Sequence, residues 1–253
     1  MEKLKNKLWI WAHPTNSIKN CAGVTKTSLT TPVGGMRELG ATGLMYVPMG
    51  RPCDRPARNA EMWDVEQTGW SIESEQDVLD LIAQKEEWPN IKLGVFDDFF
   101  SDANAEHNFS QYSVGKMIEM REKLHAAGLE MWVVFYTMQI ELDVWKEYLK
   151  VFDGVSLWLW EEPTNAEFEE KCQWFFSQTE GQKRMIGCYL YDFGRQQEAT
   201  VDSVLYQLNR NLDFVKEGKI DGIILHTNAV GGLGFAAYDA GKEWAAKHGD
   251  DMV

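Results

Sequence analysis

The chain has 253 residues, 44% of them apolar, which is enough for a sizeable core. It carries 25 Lys and Arg against 39 Asp and Glu, a net charge of −14. Such a surface repels phosphate backbones and anionic membranes, so neither nucleic acid nor a membrane is an expected partner.

Short apolar runs rich in β-branched and aromatic residues alternate with longer segments that keep one polar face. The runs read as buried strands and the segments as helices. In chain order the pattern predicts a strand over 8–12, a helix over 33–40, a strand over 43–49 and a helix over 74–87. A strand over 92–97, a helix over 112–127, a strand over 130–137 and a helix over 141–150 follow. The series ends with a strand over 155–160, a helix over 164–179, a strand over 184–191, a helix over 200–217, a strand over 222–226 and a helix over 234–247. Gly40, Gly128, Gly154, Gly181 and Gly218 follow helices, where a left-handed residue favours glycine. Ser74, Ser110 and Thr164 stand at expected N-caps, and Thr164 has Glu167 at the spacing of a capping box.

Strands separated by helices imply a parallel sheet with crossover helices. An open doubly wound sheet usually carries a glycine-rich loop after its first strand, and here WAHPTN stands there instead. Length and strand number favour one closed (β/α)₈ barrel of the TIM type over 1–253, an α/β fold. Seven strands are visible; the eighth is expected within 21–31 or 50–72, the alternative being an incomplete barrel. The segment from 50 to 72 has no clear periodicity, and a loop that long is often functional.

Cys21, Cys53, Cys172 and Cys188 are far apart and read as scattered thiols, some of them filling the core. No metal-ligand spacing is visible, and the reading assigns the chain neither a metal nor a cofactor. The start MEKLKNKLWIWAHP is basic, but its apolar run is short for a signal peptide. The chain as given reads as cytoplasmic, or as a secreted protein trimmed of its signal. Its oligomeric state is left open.

The strand ends carry the chemistry. The first strand runs into His13 with Asn16 close behind, the strand over 92–97 into Asp97 and Asp98, and the strand over 130–137 into Tyr136 and Gln139. The strand over 155–160 ends at Trp160 with Glu161 and Glu162 next. Tyr189, Tyr191 and Asp192 close the strand over 184–191, and His226 and Asn228 close the last. In a barrel these ends converge on one face. Strand alternation turns one of Asp97 and Asp98 toward the barrel axis, without saying which. A buried carboxyl has a raised pKa suited to proton transfer. Glu161 is the preferred acid of its pair, and the alternative role for either glutamate is to favour a helix N-terminus. His13 and His226 are chemically attractive, since histidine ordinarily titrates near neutrality. His107, His125 and His248 lie in a loop or on helices, where surface placement is the default. Most of the 11 tryptophans read as core, while Trp63 and Trp70 in the long loop are better candidates for lining a cleft.

With WAHP, GVFDDFF, SLWLWEEP and CYLYDFG at the strand ends, the chain resembles the (β/α)-barrel glycoside hydrolases, without a motif that picks one family. The resemblance implies two carboxyl groups across a sugar-binding cleft. Glu161 would be the acid and Asp98 or Asp97 the nucleophile or base, or the reverse. His13, Asn16, Tyr136, Trp160, Glu162, Tyr191, Asp192, His226 and Asn228 would contact a carbohydrate or another small polyhydroxylated ligand. The sequence departs from many such enzymes at its last strand, which ends in His226 and Asn228 rather than a glutamate. One alternative is a metal-dependent sugar isomerase or epimerase using Glu161, Asp192 and His226. The other is a carbohydrate-binding barrel without catalysis.

Overall fold

The computed structural model describes residues 1–15, 24–47, 65–100, 112–139 and 145–253. Eight strands form: β1 (Leu8–Ala12), β2 (Gly43–Tyr46), β3 (Gln67–Ile72), β4 (Ile91–Phe96), β5 (Glu130–Tyr136), β6 (Gly154–Trp158), β7 (Lys183–Tyr189) and β8 (Gly222–His226). Each pairs in parallel with the next, and β8 closes on β1 with Leu8 opposite Ile223 and Trp11 opposite His226. The eighth strand missing from the sequence pattern is β3, inside the segment 50–72. Its residues QTGWSI interleave polar and apolar side chains, so it lacks the continuous apolar run that marks its neighbours.

The helices are α1 (Pro32–Glu38), α2 (Glu75–Glu87), α3 (Val114–Ala126), α4 (Trp145–Leu149), α5 (Asn165–Gln178), α6 (Val201–Lys216) and α7 (Ala236–His248). Local side chains fix their starts. Ser74 with Asp77 and Thr164 with Glu167 form reciprocal capping boxes on α2 and α5. Ser113 caps α3, while Ser110 lies outside the described residues. Gly40, Gly128, Gly181 and Gly218 take positive φ after their helices. Gly154 does not, because it belongs to β6. On α6, Val204, Leu208 and Leu212 recur every four residues and are buried against the sheet. The chain ends are tied together by a bridge between Lys3 and Met252.

The core has two parts. The larger lies between strands and helices, and the smaller fills the barrel with Trp9, Trp11, Met45, Leu93, Val95, Trp132, Val134, Trp158, Met185 and Ile224. Interior bulk is traded between strands, so that Trp9, Trp132 and Trp158 each fill the space left by a glycine on the adjacent strand. A Cβ on Gly43 would come within 2.3 Å of the Trp9 ring, and one on Gly187 within 2.2 Å of the Trp158 ring. Trp11 meets Trp158 edge-on at 5.4 Å. These tryptophans are packing residues, and so is Trp70, which is 1% exposed and contacts Tyr46 and Trp88. Trp63 lies outside the described residues.

Candidate functional site

The interior cluster fixes which side chains face the barrel axis. Leu93 and Val95 point inward on β4, so alternation sends Asp97 inward too. The same count brings His13 from β1, Tyr136 from β5, Trp160 from β6, Tyr189 from β7 and His226 from β8 to the carboxyl-end mouth. Ring contacts confirm the convergence. His13 and His226 lie 5.3 Å apart with their Nε2 atoms at 3.3 Å. Tyr189 is 4.9 Å from His226, and Trp160 is edge-on to both Tyr136 and Tyr189 at 5.9 Å. Trp158 forms the floor, 5.8 Å from the His226 ring.

Asp97 brings an inward-facing carboxyl to this mouth. Its Oδ1 accepts the Asp98 backbone N–H at 2.9 Å and the Tyr136 hydroxyl at 3.4 Å. No cation pairs with it among the described residues. Removal from water, then repulsion from Asp98, pushes its pKa up to about 7 despite those hydrogen bonds. Asp98 ends the strand with φ at +50° and is exposed to solvent. Both histidines are held neutral. Burial lowers His13 to about 4, and burial followed by repulsion from His13 puts His226 well below its usual value.

Asn228 is fully buried and acts as a clamp. Its Oδ1 accepts the His13 backbone N–H at 2.9 Å, and its Nδ2 donates to the carbonyls of His13 and Thr30 at 2.9 and 3.0 Å. It therefore positions His13. Gln139 is likewise buried and accepts the Tyr136 backbone N–H at 2.9 Å.

The remaining sequence candidates fall elsewhere. Asn16 lies outside the described residues. Glu162 spends both oxygens on Thr200, at 2.7 Å to the backbone N–H and 2.7 Å to the hydroxyl, at the start of α6. Asp192 is 2% exposed, accepts the Arg195 backbone N–H at 2.9 Å and pairs with the Arg195 guanidinium at 3.1 Å. Tyr191 is buried in the outer core, stacked on Phe235, and Tyr189 reaches the mouth instead. Glu161 pairs with Arg195 at 3.0 Å and lines a side groove of about 450 Å³ with Trp160, Met138, Lys171 and Arg195. Among the described residues no three His, Cys, Asp or Glu side chains are grouped to hold a metal ion. Glu161 and Asp192 share Arg195 while His226 pairs with His13, so the trio expected of an isomerase is not gathered.

Sequence reasoning missed Glu73, which follows β3 and adds to the repulsion on Asp97. It also passed over Phe193, 4.7 Å from His226. Locating β3 would have pointed to Glu73, whereas nothing in the linear pattern marks Phe193.

No family model and no curated protein sequence matches the chain. Solved structures do. A mutant tryptophan synthase α-subunit from Pyrococcus furiosus aligns with TM-score 0.51 and 14% identity over 96% of this chain and 97% of that one. The Bacillus cereus spore cortex-lytic enzyme SleL aligns with TM-score 0.52 and 13% identity over 95% and 74%. A family 18 chitinase from Crocus vernus aligns with TM-score 0.53 and 10% identity over 94% and 98%. No described helix is long and apolar enough to cross a membrane. At these identities the likeness speaks for architecture alone, and with the closed eight-strand ladder it makes the chain an α/β barrel of the TIM type.

Proposed function

We propose that this barrel is a carbohydrate-active hydrolase of the glycoside-hydrolase kind, with Asp97 as its acid. The observation that carries the reading is an inward-facing carboxyl with no paired cation among the described residues, its pKa raised to about 7, at the bottom of an aromatic mouth. A carboxyl still protonated near neutrality can deliver its proton to a leaving oxygen. The Tyr136 hydroxyl orients it. Asp98 on the same strand end supplies negative charge toward the oxocarbenium-like centre that glycoside cleavage develops. Trp160, Tyr136 and Tyr189 offer ring faces and edges for the apolar side of a sugar. A chitinase and a spore cortex-lytic enzyme share the fold, and so does a tryptophan synthase subunit, so the fold alone does not choose.

The test is turnover of a panel of aryl glycosides and neutral oligosaccharides by wild type and Asp97→Asn. Wild-type activity is expected to fall as pH rises through about 7, where the acid loses its proton. The variant is expected to lose about 10²–10⁴-fold in kcat, the usual worth of a positioned acid. Full turnover in Asp97→Asn removes the reading.

A further inference from the structure

Trp160 belongs to both the mouth and a side groove. One edge meets Tyr136 and Tyr189 at the mouth, and the residue also lines the side groove with Met138, Glu161, Lys171 and Arg195. The groove's volume of about 450 Å³ lies inside the ~300–1,000 Å³ range of small-molecule sites. Six large apolar side chains are strongly exposed among the described residues, and two of them, Met138 at 60% and Trp160 at 39%, fall in this groove.

The rim is polar but internally balanced. Glu162 and Glu167 are engaged by Thr200 and Thr164 at helix starts. Arg195 is shared between Glu161 and Asp192, and Lys171 pairs with Glu170 at 3.3 Å. Glu161 and Arg195 nevertheless remain about half exposed, with side chains 58% and 46% accessible. They present acceptors and donors to a guest without a surplus positive charge. That combination of apolar floor and paired polar edge suits a neutral pyranose ring, whose C–H face lies on the floor and whose hydroxyls meet the rim. It does not suit a uronate or a phosphorylated sugar, which would meet three glutamates for two cations.

We infer that the groove is a second saccharide subsite, continuous with the mouth across Trp160, so that the ligand is a neutral oligosaccharide rather than a single glycoside. This rests on the carbohydrate reading of the mouth, but its test does not require turnover. Calorimetry with Asp97→Asn, titrated with neutral gluco- and N-acetylglucosamine oligomers of defined length, reads the groove directly. Affinity is expected to rise at least tenfold between two and four units. The rise is expected to vanish when Met138→Ala or Trp160→Ala is added, both at exposed positions where folding is checked by the melting temperature. Uronate oligomers of equal length are expected to bind at least tenfold more weakly. Length-independent affinity, a length dependence that survives both added substitutions, or no binding by any neutral oligomer overturns the subsite. Equal affinity for uronates overturns its neutral character. Length-dependent binding in a protein whose wild type hydrolyses none of these sugars leaves the subsite standing and removes the hydrolase. Hydrolysis with no effect of length does the opposite.

Discussion

Asp97 and Asp192 are both aspartates just past the end of a strand, and they have opposite surroundings. Asp192 is met by a guanidinium at 3.1 Å and a backbone N–H at 2.9 Å, and its loop is pinned by a bridge to Gln197. Asp97 has a neighbouring carboxylate, a backbone N–H and a tyrosine hydroxyl. One environment satisfies the charge and the other opposes it. Burial alone therefore does not set a carboxyl's protonation; the sign of its neighbours does.

Substitution at the two positions is expected to separate the two properties. The largest effect is the loss of turnover in Asp97→Asn described above. Next in size, Asp192→Ala is expected to cost about 2 kcal/mol in denaturant unfolding, since it orphans the Arg195 backbone N–H while the guanidinium still reaches water. An Asp192→Ala protein of wild-type stability breaks the comparison.

Proton linkage sharpens it. A carboxyl raised in the folded state binds its proton more tightly there than in the unfolded chain. Its stabilising contribution is complete below about pH 4 and is lost as pH climbs to about 7. Asp97→Asn cannot ionise, so its melting temperature is expected to gain on wild type between pH 4 and 7 and to hold that gain above. His13 and His226 act in the other sense. Held neutral by burial, they weaken the fold as pH drops below 6.5 and the unfolded chain takes up protons. A melting-temperature difference that stays flat from pH 4 to 8 would mean that Asp97 is not strained. The smallest effect belongs to Glu162→Gln, expected to cost about 1 kcal/mol as one charged acceptor at the start of α6 is weakened.

The fold was largely legible in the sequence because parallel strands are buried on both faces and stand out as apolar runs. For the same reason the facing of each side chain was not. Val95, Phe96 and Asp97 run continuously, and only the interior cluster shows that Val95 looks inward and Phe96 outward. That parity decides between Asp97 and Asp98, and between Tyr189 and Tyr191. The strand β3 was hidden because Thr68, Gly69 and Ser71 interrupt its apolar run. The partner sets of Glu162 and Asp192 were out of reach, since Thr200 lies 38 residues from Glu162 and only the loop geometry brings Arg195 back to Asp192.

Interlocked indoles and glycines also give the barrel a direction. With Trp9, Trp11, Trp132 and Trp158 occupying its bore, nothing the size of a water molecule is expected to travel from one rim to the other. In the proposed hydrolase, substrate, product, water and the proton that Asp97 would recover all share one doorway. Turnover is therefore expected to respond to whatever crowds that doorway, even where the reacting groups are untouched.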